Sequence, residues 1–166
     1  MKLLKSIAAF TFLIYLFSFK VDNSFTTPTQ LGEKIFNAIK AQNKNEILDL
    51  IVKKKEILST IDKSGMPQDK AEELRKSFVN KWESQQKETR EKIIKGYNKI
   101  INDIIQRNCQ KTIRMGVIIP ETLKLRNLPI ELAHLDIEYK CGEPSDTIGV
   151  DIINTSEGWR ILEHLR

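Results

Sequence analysis

Cysteine and histidine are scarce in this sequence. Its 166 residues include two cysteines, Cys109 and Cys141, and two histidines, His134 and His164. These four residues do not have the close spacing that recurs among zinc ligands, so we expect no metal site and no bound cofactor. The absence of any cysteine before position 109 also excludes the N-terminal lipid attachment of bacterial lipoproteins.

Several motifs that carry catalytic chemistry are missing as well. The chain has no glycine-rich phosphate loop, no Gly-x-Ser-x-Gly turn and no His-Glu-x-x-His motif. Charge of one sign is not concentrated either, because the longest block of like charge is Lys53-Lys54-Lys55. The net charge of +5 is spread among interleaved lysines and glutamates. This pattern is typical of a solvated surface, and we expect no nucleic-acid partner.

The N-terminus has the composition of a targeting segment. Lys2 and Lys5 precede a continuous apolar run at 7–19. Such a run spans roughly 20 Å as a helix, whereas a bilayer core needs about 20 residues. The length therefore favours a signal peptide within 1–24 and export to the periplasm or the extracellular space. No good cleavage site follows, so an uncleaved membrane anchor at 7–19 is the alternative, and it would be the chain's only contact with a membrane.

Helical spacing dominates residues 28–108. Apolar residues three and four positions apart predict a first helix from 28 to about 41 and a second from about 45 to 61. The region 67–108 predicts one long helix, or two helices with a break near Gly96. Glutamate–lysine pairs four residues apart support helix through its polar middle.

From residue 112 the apolar period changes to two, as expected for β-strands. Four alternating segments predict four strands, at 113–119, 130–141, 148–152 and 159–165. In the first, the predicted buried face consists of alternate residues: Ile113, Met115, Val117 and Ile119. Pro120 and Pro129 are expected to bracket a connection.

Helices followed by an antiparallel meander predict an α+β fold. We expect N-terminal helices packed on a C-terminal curved antiparallel sheet of about four strands. The single domain is predicted to cover 25–166, with a helical half at 28–108 and a sheet half at 112–166.

The end of the chain resembles the nuclear transport factor 2-like (cystatin-like) superfamily. The resemblance is carried by residues 146–166, DTIGVDIINTSEGWRILEHLR, in which a strand and a tight turn precede Gly-Trp-Arg-Ile. Small exported bacterial proteins of unknown function often have this ending after a helical half. The resemblance implies a cone-shaped cavity between sheet and helices. Some relatives use the cavity as isomerases, dehydratases or hydrolases, and others only bind ligands or partner chains.

Three polar residues of the sheet half are candidate catalytic groups. His134 and Asp136 share one face of the predicted strand 130–141, and His164 lies on the last strand as a potential neighbour. A histidine beside a carboxylate can serve as a general acid or base, although the exposed face of a strand has the same composition. Cys109 and Cys141 are expected to form a disulfide in an exported chain, the alternative being two separate thiols.

Three functional hypotheses follow. The first is a noncatalytic exported domain that binds a ligand or another protein through a sheet cavity or a helical face. The second is a cone-fold enzyme, a lyase, isomerase or hydrolase, with His134 or Asp136 as the base. The third is a structural protein tethered to a membrane by residues 7–19.

Overall fold

The computed structural model describes residues 25–123 and 130–166, and within them the chain forms the predicted α+β fold. The predicted signal peptide or anchor within 1–24 lies outside the described residues, as does the part of the predicted connection at 124–129. In chain order the helices are α1 (Pro28–Lys40), α2 (Lys44–Asp49), α3 (Lys54–Lys63) and α4 (Gln68–Gln106). The strands are β1 (Arg114–Leu123), β2 (Leu132–Lys140), β3 (Ser145–Thr155) and β4 (Gly158–Glu163).

Helix α1 begins with a reciprocal cap. The Thr27 side chain accepts a hydrogen bond from the Gln30 backbone amide, and the Gln30 side chain accepts one from the Thr27 amide. Pro28 occupies the first turn, where its missing amide hydrogen costs nothing. The buried face of the helix is the apolar stripe expected from the sequence: Leu31, Ile35, Phe36 and Ile39.

The prediction of a continuous helix from 45 to 61 is wrong. Residues 50–52 leave the helical path and lie beside β4, where the Val52 amide donates to the Ile161 carbonyl at 2.9 Å and the Ile161 amide donates to the Leu50 carbonyl at 3.0 Å. These bonds satisfy backbone groups at the edge of the sheet. The segment is thereby divided into α2 and α3.

Helix α4 is one uninterrupted helix of 39 residues, which is the first of the two predicted alternatives. Gly96 does not break it. This glycine instead lets the C-terminal segment approach closely, because a Cβ atom built at position 96 would lie 1.5 Å from the carbonyl oxygen of Leu165. Only a residue without a side chain permits that approach.

The four strands form an open antiparallel sheet in the order β1-β2-β3-β4. The alternation predicted for the second and third strands is confirmed. One face of the sheet packs against α1 and the second half of α4 in the main core. The large apolar side chains that β2 and β3 contribute to this face are all buried: Leu135, Ile137, Tyr139, Ile148, Val150 and Ile152.

The predicted buried face of the first strand is correct at Ile113, which is 1% exposed, but wrong at its other three members. Met115, Val117 and Ile119 are 38–58% exposed, whereas Ile118 packs against the main core. A bulge between Met115 and Ile118 adds one residue against β2 and reverses the inward and outward positions. The strand also continues through Pro120, which an edge strand tolerates because its missing donor faces away from the sheet.

A second apolar cluster covers one end of the opposite sheet face. Ile153 is adjacent in sequence to Ile152 but points to the other face, where it meets α3 and the first half of α4. The fully or largely buried members of this cluster are Val52, Ile57, Ile61, Trp82 and Ile153. Helix α4 therefore contributes to apolar clusters on both sides of the sheet.

The expected disulfide joins the end of the helical half to the sheet. Cys109 and Cys141 are bonded, with their Cα atoms 5.5 Å apart, within the usual range. Arg107 reinforces this corner by contacting the carboxylates of Asp103 and Asp146. It also donates to the carbonyl of Cys141 at 2.9 Å.

Candidate functional site

His134 lies on the sheet face opposite the main core, between two carboxylates. Its Nδ1 atom is 2.7 Å from Oδ1 of Asp151 on β3, and its Nε2 atom is 3.2 Å from Oδ1 of Asp136 on β2. The strand register explains the contact, because His134 is directly opposite Asp151 and Asp136 is opposite Gly149. The absence of a side chain at Gly149 leaves room for the imidazole ring, which would be 3.2 Å from a Cβ atom there.

This arrangement restricts what His134 can do chemically. A neutral imidazole has one N–H group and can donate to only one of the two carboxylates, whereas a doubly protonated ring can donate to both. A general base needs a nitrogen that is free to accept a proton from a substrate. Since both ring nitrogens of His134 contact carboxylates, the geometry favours a hydrogen-bonded surface cluster over a poised base.

The third candidate, His164, is not brought to this cluster. Strand β4 ends at Glu163, and His164 adopts a left-handed conformation with φ of 55°. Its Nε2 atom is 3.6 Å from Oε1 of Glu163. No contact between His164 and His134 is found among the described residues. The predicted strand to residue 165 is thus interrupted, although Arg166 pairs again with Gly149 of β3.

An apolar cleft opens between α3, α4 and β4. Its volume is about 250 Å³, and its apolar wall residues belong to the second apolar cluster except for Ile51, which is part of the main core. Phe78 and Trp82 form the aromatic wall, with ring centroids 4.9 Å apart and planes inclined by 49°. The remaining apolar wall residues come from the other elements: Ile51, Val52, Ile57 and Leu162.

Local sequence explains how these walls form. Phe78 and Trp82 are four residues apart on α4, so they lie on the same helical face. Ile57 comes from the buried side of α3, and Leu162 points away from the main core in β4. Trp82 remains only 9% exposed, so the indole is largely desolvated at the wall of the cleft.

The rim of the cleft is polar. It is formed by Gln85, Gln86, Glu88 and Thr89 of α4 together with Glu163 of β4. Of these, the two carboxylates carry the only charges among the residues that line the cleft in the described part of the chain. Uncharged groups at the rim can donate or accept hydrogen bonds, so the opening combines an apolar interior with a few polar contacts.

Lys92 holds the two rim carboxylates together. Its Nζ atom is 2.8 Å from Oε1 of Glu88 and 2.5 Å from Oε1 of Glu163. Hydrogen bonds and charge from Glu163 and Glu88 raise the pKa of Lys92 to about 12, and Lys92 lowers the pKa of Glu88. The sequence predicts the Glu88–Lys92 helical pair, but it gives no signal that Glu163 joins them from the last strand.

Three larger depressions in the described residues have less suitable walls, and the smallest of them, about 310 Å³, is lined largely by polar residues that include Asp62, Glu72 and Arg75. Another, of about 560 Å³, lies beside Phe25 and is mainly polar, with Lys34 paired to Glu46. At its side Arg160 is buried with Glu56, Nε to Oε1 3.1 Å. The largest, about 770 Å³, is an open groove lined within the described residues by one face of α4 alone.

The disulfide corner is a structural cluster rather than a site. Burial, followed by the carboxylates of Asp146 and Asp103, raises the pKa of Tyr139 to about 12. The Tyr139 hydroxyl donates to Oδ2 of Asp103 at 3.4 Å. The acidic groups are in turn held by Arg107, whose pKa they raise. Asp103 also lines the open groove along α4, but Arg107, Asp103 and Asp146 each contact an opposite charge within this corner.

No protein-family model, curated protein or solved structure matches this chain. The resemblance to the nuclear transport factor 2-like superfamily therefore stays a prediction. Among the described residues, no group of histidine, cysteine and acidic side chains has the arrangement of a metal site. In the same residues, no helix combines the length and the apolar character needed to cross a bilayer.

Proposed function

We propose that this chain is an exported, noncatalytic domain that binds a small, largely apolar molecule in the cleft between α3, α4 and β4. The observation that carries the proposal is the aromatic wall of Phe78 and Trp82, which is continuous with the second apolar cluster but open to solvent. Apolar, concave surfaces with a few polar groups at the opening are the usual form of ligand sites.

The size of the cleft limits the ligand. A volume of about 250 Å³ is slightly below the usual range for drug-sized molecules. A water molecule occupies about 30 Å³ of liquid, so the space suits a ligand of roughly eight to ten heavy atoms. A monocyclic aromatic or short aliphatic compound meets that limit.

Export is the second part of the proposal. The apolar run at 7–19 supports it, as does the disulfide, which persists mainly in oxidising compartments. Intact-mass measurement of the exported protein is expected to show loss of roughly the first 24 residues. Retention of the whole segment in a membrane fraction would instead support the tethered alternative. Recovery of a full-length, reduced protein from the cytosol would contradict export.

Binding can be assigned to the cleft by tryptophan fluorescence. The sequence has two tryptophans, Trp82 at the cleft and Trp159 in the main core. Ligand titrations of the purified Trp159→Phe variant should change the emission of Trp82. The matched Trp82→Phe variant, in which Trp159 alone emits, should show little change. Equal changes in both variants would place binding elsewhere.

A blocking substitution provides an independent test. Gln86→Trp puts a large side chain at the rim, whereas Lys87→Trp puts the same side chain on the adjacent exposed position outside the cleft. A ligand that raises the melting temperature of the wild-type protein by mass action should lose this effect only in Gln86→Trp. The noncatalytic assignment fails if a bound compound is converted to product and His134→Ala abolishes the conversion.

A further inference from the structure

We propose that the cleft selects organic cations, and that the ammonium group of the ligand binds at Glu88 and Glu163 while its apolar body lies against Trp82. This inference rests on the proposed ligand site. It adds the charge of the ligand, which neither the volume nor the apolar walls determine.

The first argument is the charge of the lining. Glu88 and Glu163 are the charged residues that line the cleft in the described part of the chain, and both are acidic. Lys92, which neutralises one of them, does not line it. The three side chains together have a net charge of −1 at neutral pH. A monocation would bring the group to neutrality, whereas an anion would add a third negative charge near the two carboxylates.

The second argument is that the two carboxylates already bind an ammonium group. They come from different elements, α4 and β4, yet both place Oε1 within 2.8 Å of the same Nζ atom. A carboxylate offers about four acceptor positions on two oxygens. No contact in the described residues uses Oε2 of Glu88 or Oε2 of Glu163. The pair therefore retains acceptors for a second ammonium group.

The third argument is the position of the aromatic wall. Trp82 lies six residues before Glu88 on the same helix, and both line the same cleft. An indole face attracts organic cations and also provides apolar contact area. A ligand with a ring and an ammonium group can therefore pack its ring against the aromatic wall while its ammonium group binds the carboxylates of the rim.

Three probes of similar size test the inference: 2-phenylethylammonium, 2-phenylethanol and phenylacetate. Dissociation constants are measured with the purified protein by calorimetry at low and high salt. We expect the ammonium compound to bind about tenfold more tightly than the alcohol, and the carboxylate compound to bind more weakly than either. The preference for the ammonium compound should decrease in high salt because the rim is open to solvent.

Substitutions at the rim should change the charge preference in opposite directions. Glu163→Gln or Glu88→Gln should reduce the tenfold preference for the ammonium compound over the alcohol to twofold or less. The affinity for the alcohol itself should change by no more than twofold. Lys92→Met should increase the preference, because it leaves both carboxylates unneutralised. Glu83→Gln is the matched control, since this exposed glutamate of α4 does not line the cleft.

The outcomes separate the two proposals. Binding of all three probes with equal affinity, or tightest binding of the carboxylate compound, overturns the cation inference and leaves the cleft as a ligand site. A decreased ammonium preference in Lys92→Met also overturns it. If none of the probes binds the wild-type protein, the proposed function and the inference both fail. Because Glu88 is exposed on a helix, Glu88→Gln keeps the test available should Glu163→Gln not fold.

Discussion

Replacing Gly96 by alanine should destabilise the protein by about 3 kcal/mol, although the same change inside most helices is stabilising. Helix propensity alone favours alanine by about 1 kcal/mol. At this position, however, a Cβ atom would lie 1.5 Å from the carbonyl oxygen of Leu165 and 2.6 Å from its carbonyl carbon. Ordinary contacts begin near 3.5 Å, so α4 and the C-terminal segment would have to separate by about 2 Å.

The separation would disturb a well-packed part of the main core. Leu165 is 3% exposed, and forcing a packed segment aside typically costs about 1–3 kcal/mol. Withdrawal of the buried Leu165 side chain from the core adds roughly 1.5–3 kcal/mol. After the gain in helix propensity is subtracted, a net loss of about 3 kcal/mol remains.

Gly32→Ala is the matched control. Gly32 is also a buried helical glycine, but its built Cβ atom meets only methyl groups of Ile118 and Leu135, at 3.1–3.2 Å. Those side chains can rotate, so the stability change should stay within about 1 kcal/mol. Urea unfolding followed by circular dichroism measures both variants. If Gly96→Ala is as stable as the wild-type protein, the close approach of α4 to Leu165 is wrong.

Three further changes have defined outcomes. Replacing Cys109 and Cys141 by serine should lower the free energy of unfolding by about 4 kcal/mol, because the disulfide closes a loop with a sequence separation of 32. Denaturant titration measures the change, and an unchanged unfolding midpoint would refute the predicted stabilisation. The pKa of Tyr139 is raised to about 12 in the folded protein, so the unfolded chain loses the hydroxyl proton first and the free energy of unfolding should fall as pH rises from about 10 to 12. Tyr139→Phe should reduce that fall, and a pH profile identical to that of the wild-type protein would contradict the raised pKa. Glu56→Ala should cost about 3–5 kcal/mol by leaving the buried Arg160 without this carboxylate; a cost below about 1 kcal/mol would show that the pair is solvated.

Local pattern was sufficient for the elements that are stabilised locally. The strict alternation in 130–141 predicts the buried face of β2 because each strand residue points opposite to its neighbours. Pro28, which suits the first position of a helix, likewise marks the start of α1. The disulfide followed from compartment and cysteine number, since Cys109 and Cys141 are the only possible pair.

The errors arose where distant backbone groups decide the local conformation. Val52 leaves the helical path because its amide donates a hydrogen bond to the carbonyl of Ile161 at the edge of β4, a residue more than a hundred positions away. In β1, one extra residue at the bulge exchanges the exposed and buried positions of Val117 and Ile118. Neither effect alters the apolar periodicity from which the elements were predicted.

The candidate site could not be assembled from the sequence for the same reason. Its walls come from 51–57, 78–89 and 162–163, and each segment alone resembles an ordinary buried face. The sequence favoured His134, Asp136 and His164, which are chemically versatile residues. Their positions depend on the strand register and on the left-handed turn at His164, and these separate His164 from the other two.

The cleft lies beside residues 78–89 of α4, whereas the same helix meets the C-terminal segment directly at Gly96. Near Gly96 the helix backbone and the C-terminal segment approach as closely as a glycine allows. Trp82 lies 14 residues earlier, about 21 Å along the helix axis, where Phe78 and Trp82 occupy the space between α4 and its neighbours. Lys92, located between these points, pairs with Glu88 of its own helix and with Glu163 of β4. The acidic rim of the cleft is thus tied to the anchoring of the helix, because the two carboxylates that hold Lys92 are also the charged groups that line the cleft in the described part of the chain.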